Sequence, residues 1–162
     1  LPQRKMPLPH TTDDVPHQQV DVDPVPELND ELFRLVFSLP DVENRHMIVS
    51  LPGARGLWIS EDVRIRRPDA ISRGREFTHI HPDGSLHLPL PPDRAMEAGA
   101  AGWGEQHPWA RERIIYGGLM LIYTPQTMED LDTVVRLIVE SYNFVTGRNI
   151  EPRDVISGKP AA

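Results

Sequence analysis

Apolar positions change period along this chain, and the changes mark its elements. Leu28, Leu32, Leu35, Val36 and Leu39 recur at helical spacing. They predict an amphipathic helix over about 27–38, stopped by Pro40. Met47 to Leu51 and Gly56 to Ser60 are short apolar runs flanking a Pro52-Gly53 corner, which reads as a β-hairpin. Residues 61–74 are charged and rich in Arg and Pro, hence a loop. Pro91-Pro92 opens a short helix over about 92–100, and Gly102 ends it. Residues 102–113 have no period and predict an ordered loop around Trp103, His107 and Trp109. Ile114 to Tyr123 is apolar on both faces, as a central strand is, and Gly117-Gly118 inside it marks a bulge or close backbone approach. Thr127 with Asp130 caps a long helix. Its stripe runs through Met128, Leu131, Val134, Val135, Ile138, Tyr142 and Val145 to a C-cap at Gly147.

Between these lies Arg75–Leu90, REFTHIHPDGSLHLPL, with three of the chain's seven histidines. Pro82-Asp83-Gly84 has the residues of a type I turn followed by a left-handed glycine, which predicts a three-residue hairpin loop with a G1 bulge. Loop length decides where the histidines point. A two-residue loop would place His87 on the face opposite His81; a three-residue loop pairs His79 with His87. Phe77, His79, His81, Ser85 and His87 then share one face, while Thr78, Ile80, Leu86, Leu88 and Leu90 form a core face.

The order of elements gives an α+β fold: a single domain whose mainly antiparallel sheet of about five strands carries helices packed on one face. Residues 1–26 hold six prolines and predict an extended N-terminal segment, either a surface strap or a partly disordered tail, with 1–14 dispensable for folding. The domain proper spans 27–147. Residues 148–162 are a polar C-terminal tail expected to be loose.

Composition narrows the function classes. A formal charge of −7 argues against nucleic acid or an anionic membrane as partner. Without cysteine there is no thiolate metal site and no Cys nucleophile. No apolar run approaches the roughly 18–20 residues that span a bilayer, and no targeting segment is seen in a chain starting at Leu1, so a soluble cytoplasmic protein is expected. Neither a phosphate loop nor a Gly-x-Ser-x-Gly elbow is present. A small-molecule substrate is the partner class left; oligomeric state is not legible.

Three imidazoles on one strand face have three readings: hydrogen-bonded scaffolding, a base and proton relay, or a metal site of His79, His81 and His87. Arg75 lies in an arginine-rich stretch that reads either as a solvated rim or as an attractor of anionic substrate, and with Phe77 it is a candidate substrate contact.

REFTHIHPDGSLHLPLPPDRAMEAGAAGWGEQHPW and LMLIYTPQTMEDLDTVVRLIVESY resemble the luciferase-domain family, which includes fungal luciferases and uncharacterised bacterial proteins; SLPGARGLWIS is similar to the bacterial members. In the fungal enzymes the resemblance implies oxidation of a phenolic pyrone by O2 with loss of CO2, without a flavin or other organic cofactor. The positions carried over are His79, His81, His87, Trp103 and His107. They imply an oxidoreductase, monooxygenase-like, in which His79 or His87 is the base and His107 and Trp103 close the pocket. Cofactors are none beyond O2 as co-substrate, with a metal left open. A His-ligated, hydrolase-like metalloenzyme and a non-catalytic binder are the alternatives.

Overall fold

The computed structural model describes residues 1–47 and 50–159. Its order is α1 (Pro26–Val36), β1 (Val42–His46), β2 (Arg55–Ile59), β3 (Glu76–Ile80), β4 (Leu86–Pro89), α2 (Pro92–Ala100), β5 (Gly104–Gln106), α3 (Pro108–Arg111), β6 (Leu119–Ile122), α4 (Met128–Thr146) and α5 (Pro152–Ile156). The strands form one sheet, β1-β2-β3-β4-β6-β5, with every neighbouring pair antiparallel. The α+β class holds, with six strands where about five were expected.

Both amphipathic helices cover one face of this sheet. Leu32, Leu35 and Val36 of α1, and Leu131, Val134, Val135, Ile138 and Tyr142 of α4, pack into one cluster with Leu57, Ile80, Leu86, Leu88 and Ile122. Each fully buried aliphatic side chain here contributes about 1.5–3 kcal/mol. The Thr127 hydroxyl accepts from Asp130 N at the start of α4, and Gly147 ends it in a left-handed conformation.

Three boundaries moved. The strand expected over 47–51 lies at Val42–His46, and Ile48 and Val49 fall outside the described residues. The observed segment, VENRH, is an edge strand. Among the described residues one flank meets no neighbouring strand, so charged residues replace the apolar alternation. The strand expected over 114–123 is confined to Leu119–Ile122, and Ile114 is exposed. Gly104–Gln106 adds an edge strand inside the expected loop. A side chain at Gly104 would put its Cβ 2.1 Å from the Leu121 carbonyl oxygen, so glycine permits the pairing.

Both termini are better anchored than their composition suggested. Arg4, His17 and Gln19 are buried. Trp103 Nε1 donates to the Pro2 carbonyl at 2.7 Å, Arg4 N to Ala101 O at 2.9 Å, and Thr124 N to the Gln19 side chain at 3.2 Å. Within 1–14, the contacts of Pro2 and Arg4 are polar, and apolar content does not register them. At the other end α5 buries Val155, and the Asn143 side chain exchanges two hydrogen bonds with the Ile150 backbone, so the expected loose tail is packed through Ile156. Among the described residues no helix is long and apolar enough to cross a membrane.

Candidate functional site

The hairpin forms as the turn residues predict. Gly84 N donates to His81 O at 2.9 Å, closing a turn with Pro82 and Asp83 at its corners, and Gly84 has φ +84°. His81 N bonds Ser85 O, and His79 pairs with His87. His79, His81 and His87 therefore share the face opposite the helices. Their ring centroids make a nearly equilateral triangle with sides of 5.2, 4.9 and 4.9 Å.

Two more imidazoles complete the group. His107, at the start of α3, lies 5.0 Å from His87 between centroids. His17 of the strap stacks on His87 at 5.4 Å and meets His107 edge-on at 5.2 Å. His17 was read with the strap as surface. Its only sequence signal was a histidine in a proline-rich segment, and nothing local says that this segment crosses the sheet.

Carboxylates and hydroxyls hold the outer nitrogens. His79 Nδ1 is 2.9 Å from Glu76 Oε1, His17 Nε2 is 2.8 Å from Glu105 Oε1, and His81 Nδ1 is 2.9 Å from Ser85 Oγ. Glu76 reaches this face through a β-bulge. Leu57 pairs with Thr78 but Trp58 pairs with Glu76, leaving Phe77 as the extra residue. The bulge reverses parity: Glu76 joins the histidines, and Phe77 packs edge-on against Tyr142 in the core. Phe77 still borders the cavity, but its expected place on the histidine face is corrected.

Burial lowers the proton affinity of His17, His81, His87 and His107. Desolvation, then the neighbouring imidazoles His79 and His17, bring His81 down to about 3. Burial with His17, His79 and Arg111 brings His107 down to about 4. His87 is pushed well below the ordinary histidine value, again chiefly by burial. Burial alone would raise the Glu105 carboxyl, but hydrogen bonds from His17, Thr11 and Tyr123 outweigh it and hold it below the usual range.

The imidazoles border a cavity of about 530 Å³. Val15, Pro16 and His17 form one wall, Met47, Ser50 and Leu51 another, and Arg73, Glu76, Trp109 and Leu119 also line it. Of the expected site residues, His79, His81, His87 and His107 converge here. Trp103 does not line the cavity. It is buried, with its indole N–H on Pro2, and it seats the strap. Arg75 is also corrected: its guanidinium donates to the carbonyls of Ile59, Ser60 and Val63 and closes the loop after β2. Trp109 and Arg73 occupy the cavity wall that Trp103 and Arg75 were expected to supply. His79, His81 and His87 each offer a ring nitrogen within 4.8 Å of the others, and so do His17, His87 and His107.

Comparison with known proteins agrees with the sequence resemblance. Residues 74–141 match the family described as Luciferase domain. A curated relative named Luciferase, from Armillaria ostoyae, is 28% identical over 164 aligned residues, covering 90% of this chain. The chain spans 61% of that relative's length. No solved structure matches.

Proposed function

With residues 74–141 matching the luciferase-domain family, we propose that this protein oxygenates an enolisable phenolic or pyrone-type small molecule with O2, without an organic cofactor. The observation that carries the reading is the convergence of five imidazoles on one cavity whose other walls are largely apolar. Such a cavity suits a flat aromatic substrate with a few polar groups.

Singlet organic molecules react slowly with triplet O2, and an electron-rich enolate is the form that reacts. The cluster supplies the proton acceptor. His79 is its most exposed buried-face member and has Glu76 behind Nδ1, leaving Nε2 to take a proton from the substrate hydroxyl. The enolate carbon then forms a bond to O2. The distal peroxide oxygen attacks the neighbouring ester carbonyl carbon and expels its alkoxide; the O–O bond and the C–C bond between the two carbons then break, so that carbon leaves as CO2, the other oxygen atom stays as a carbonyl, and the substrate supplies all the electrons. His107 holds charge developing on the peroxide.

A panel of phenolic pyrones tested under O2 should show uptake of one O2 for each CO2 released. His79→Gln should lower kcat by about 10²–10⁴-fold. An absence of substrate-dependent O2 uptake across the panel would overturn the reading.

A hydrolase-like metalloenzyme is the second reading, favoured by the close approach of the ring nitrogens.

A further inference from the structure

We infer that His79 Nε2, His81 Nε2 and His87 Nδ1 form a tris-imidazole site for one divalent first-row transition metal, with Glu76, Ser85 and the His17–Glu105 pair as its positioning residues. The argument is a count of protons. Ser85 Oγ donates to Asp83 Oδ1 at 2.7 Å, so it accepts from His81 Nδ1–H and leaves His81 Nε2 bare. His79 gives its Nδ1–H to Glu76, which leaves His79 Nε2 bare. His17 gives its Nε2–H to Glu105, so its Nδ1 is an acceptor toward His87 Nε2, 3.3 Å away.

His87 is left between two acceptors. Its Nδ1 is 3.0 Å from His79 Nε2, and its Nε2 faces His17. A neutral imidazole has one proton for these two contacts. If that proton goes to His17, three bare nitrogens meet on the side where His81 also points. Lone pairs do not settle at 3.0 Å with nothing positive between them. A metal cation relieves it and satisfies every outer nitrogen at once.

The dimensions fit. Metal–nitrogen bonds of about 2.0–2.1 Å at tetrahedral angles place ligating nitrogens about 3.4 Å apart and ring centroids about 5.2 Å apart. The triangle's sides are 4.9 to 5.2 Å. Outer-nitrogen partners of this kind, carboxylate or hydroxyl on the far side of a ligating ring, are what metal-bound histidines ordinarily have. The second trio, His17, His87 and His107, is less suited. His107 Nδ1 accepts from Trp109 N at 3.2 Å, so its Nε2 carries the proton. Three neutral imidazoles without thiolate or carboxylate select zinc, iron, copper or nickel over magnesium or calcium. Such a cation, bound to His79 Nε2, would acidify a substrate hydroxyl by direct contact and take over the role given to His79 above. The inference goes beyond the oxygenation reading and does not depend on it.

The test is elemental analysis of the purified full chain, followed by stripping with chelator and titration with Co(II) read by visible absorption and thermal shift. One first-row metal per chain is expected, with a Co(II) ligand-field band and a raised melting temperature on binding. His81→Ala should abolish binding. The isosteric Glu76→Gln should keep the fold by circular dichroism and weaken Co(II) about 10–100-fold. His10→Ala, at an exposed histidine outside the cluster, should change nothing. Stripped wild-type protein that takes up no Co(II) would overturn the inference, as would equal loss in His10→Ala and His81→Ala. Oxygen uptake by protein that takes up no Co(II) would overturn it while leaving the oxygenation reading standing. Stoichiometric metal with no oxygen uptake would do the reverse.

Discussion

On one face of the sheet, α1 and α4 lay continuous apolar stripes over Leu57, Ile80, Leu86 and Leu88; on the other, a proline-rich strap reaches His87 through hydrogen bonds and stacked rings. The helical face is held by burial, which is non-directional and tolerant of small shifts. The histidine face is held by directional contacts to Glu105, Trp103 and Thr124. The faces therefore answer differently to mutation: the first determines how stable the domain is, the second where five imidazoles stand.

The sharpest way to break that division is to change the hairpin's parity. Adding one residue between Pro82 and Gly84 should turn His87 away from His79 and abolish both Co(II) binding and turnover. Adding two should preserve the pairing and most of both. Equal loss in the two insertions, at equal melting temperature, would show that parity is not what places the rings.

Next in size is a cut into the helical face. Leu88 is fully buried, and Leu88→Ala should cost about 2–5 kcal/mol, read from the urea midpoint, with the histidine geometry kept. An unchanged midpoint would contradict the core assignment.

Glu105→Ala probes the other face. Glu105 accepts from Thr11, His17 and Tyr123. Its loss should cost about 1–3 kcal/mol, with a larger fractional effect on ligand binding than on stability. Should stability fall while binding is untouched, the contrast between the faces would be wrong.

The smallest effect belongs to Thr127→Ala. Losing the α4 cap should cost about 1 kcal/mol and leave the site unchanged, as a change confined to the helical face must.

Legibility in the sequence follows the same divide. The helices at 26–36, 92–100 and 128–146 were readable because local period agrees with the boundary residues: Pro40 after the first, Pro92 and Gly102 around the second, Thr127 and Gly147 around the third. The hairpin register was readable because Pro82-Asp83-Gly84 admits few turns. What escaped depends on distant parts of the chain. β5 exists because β6 offers it an edge, and His17 joins the site because the strap is anchored elsewhere. Trp103 was misplaced because a large aromatic in a loop shows that something packs on it without showing what. Phe77 was misplaced because strict alternation was assumed through a strand that holds an extra residue. Arg75 was misplaced because a guanidinium that ties backbone carbonyls looks, in sequence, like one that attracts ligand.

The strap also bears on the order of assembly. Its anchors are far from it along the chain: Pro2 and Trp103 are 101 residues apart, His17 and Glu105 88, Gln19 and Thr124 105. Closing loops of that length costs entropy that local elements never incur, so the hairpin and helices gain their contacts first. During synthesis the strap emerges before its anchors are made. A ribosome that has released the whole histidine hairpin still lacks Glu105, and His17 then has no carboxylate to dock against. The strap, translated before its anchors, is among the last segments to take its place, and the fifth imidazole arrives only when it does.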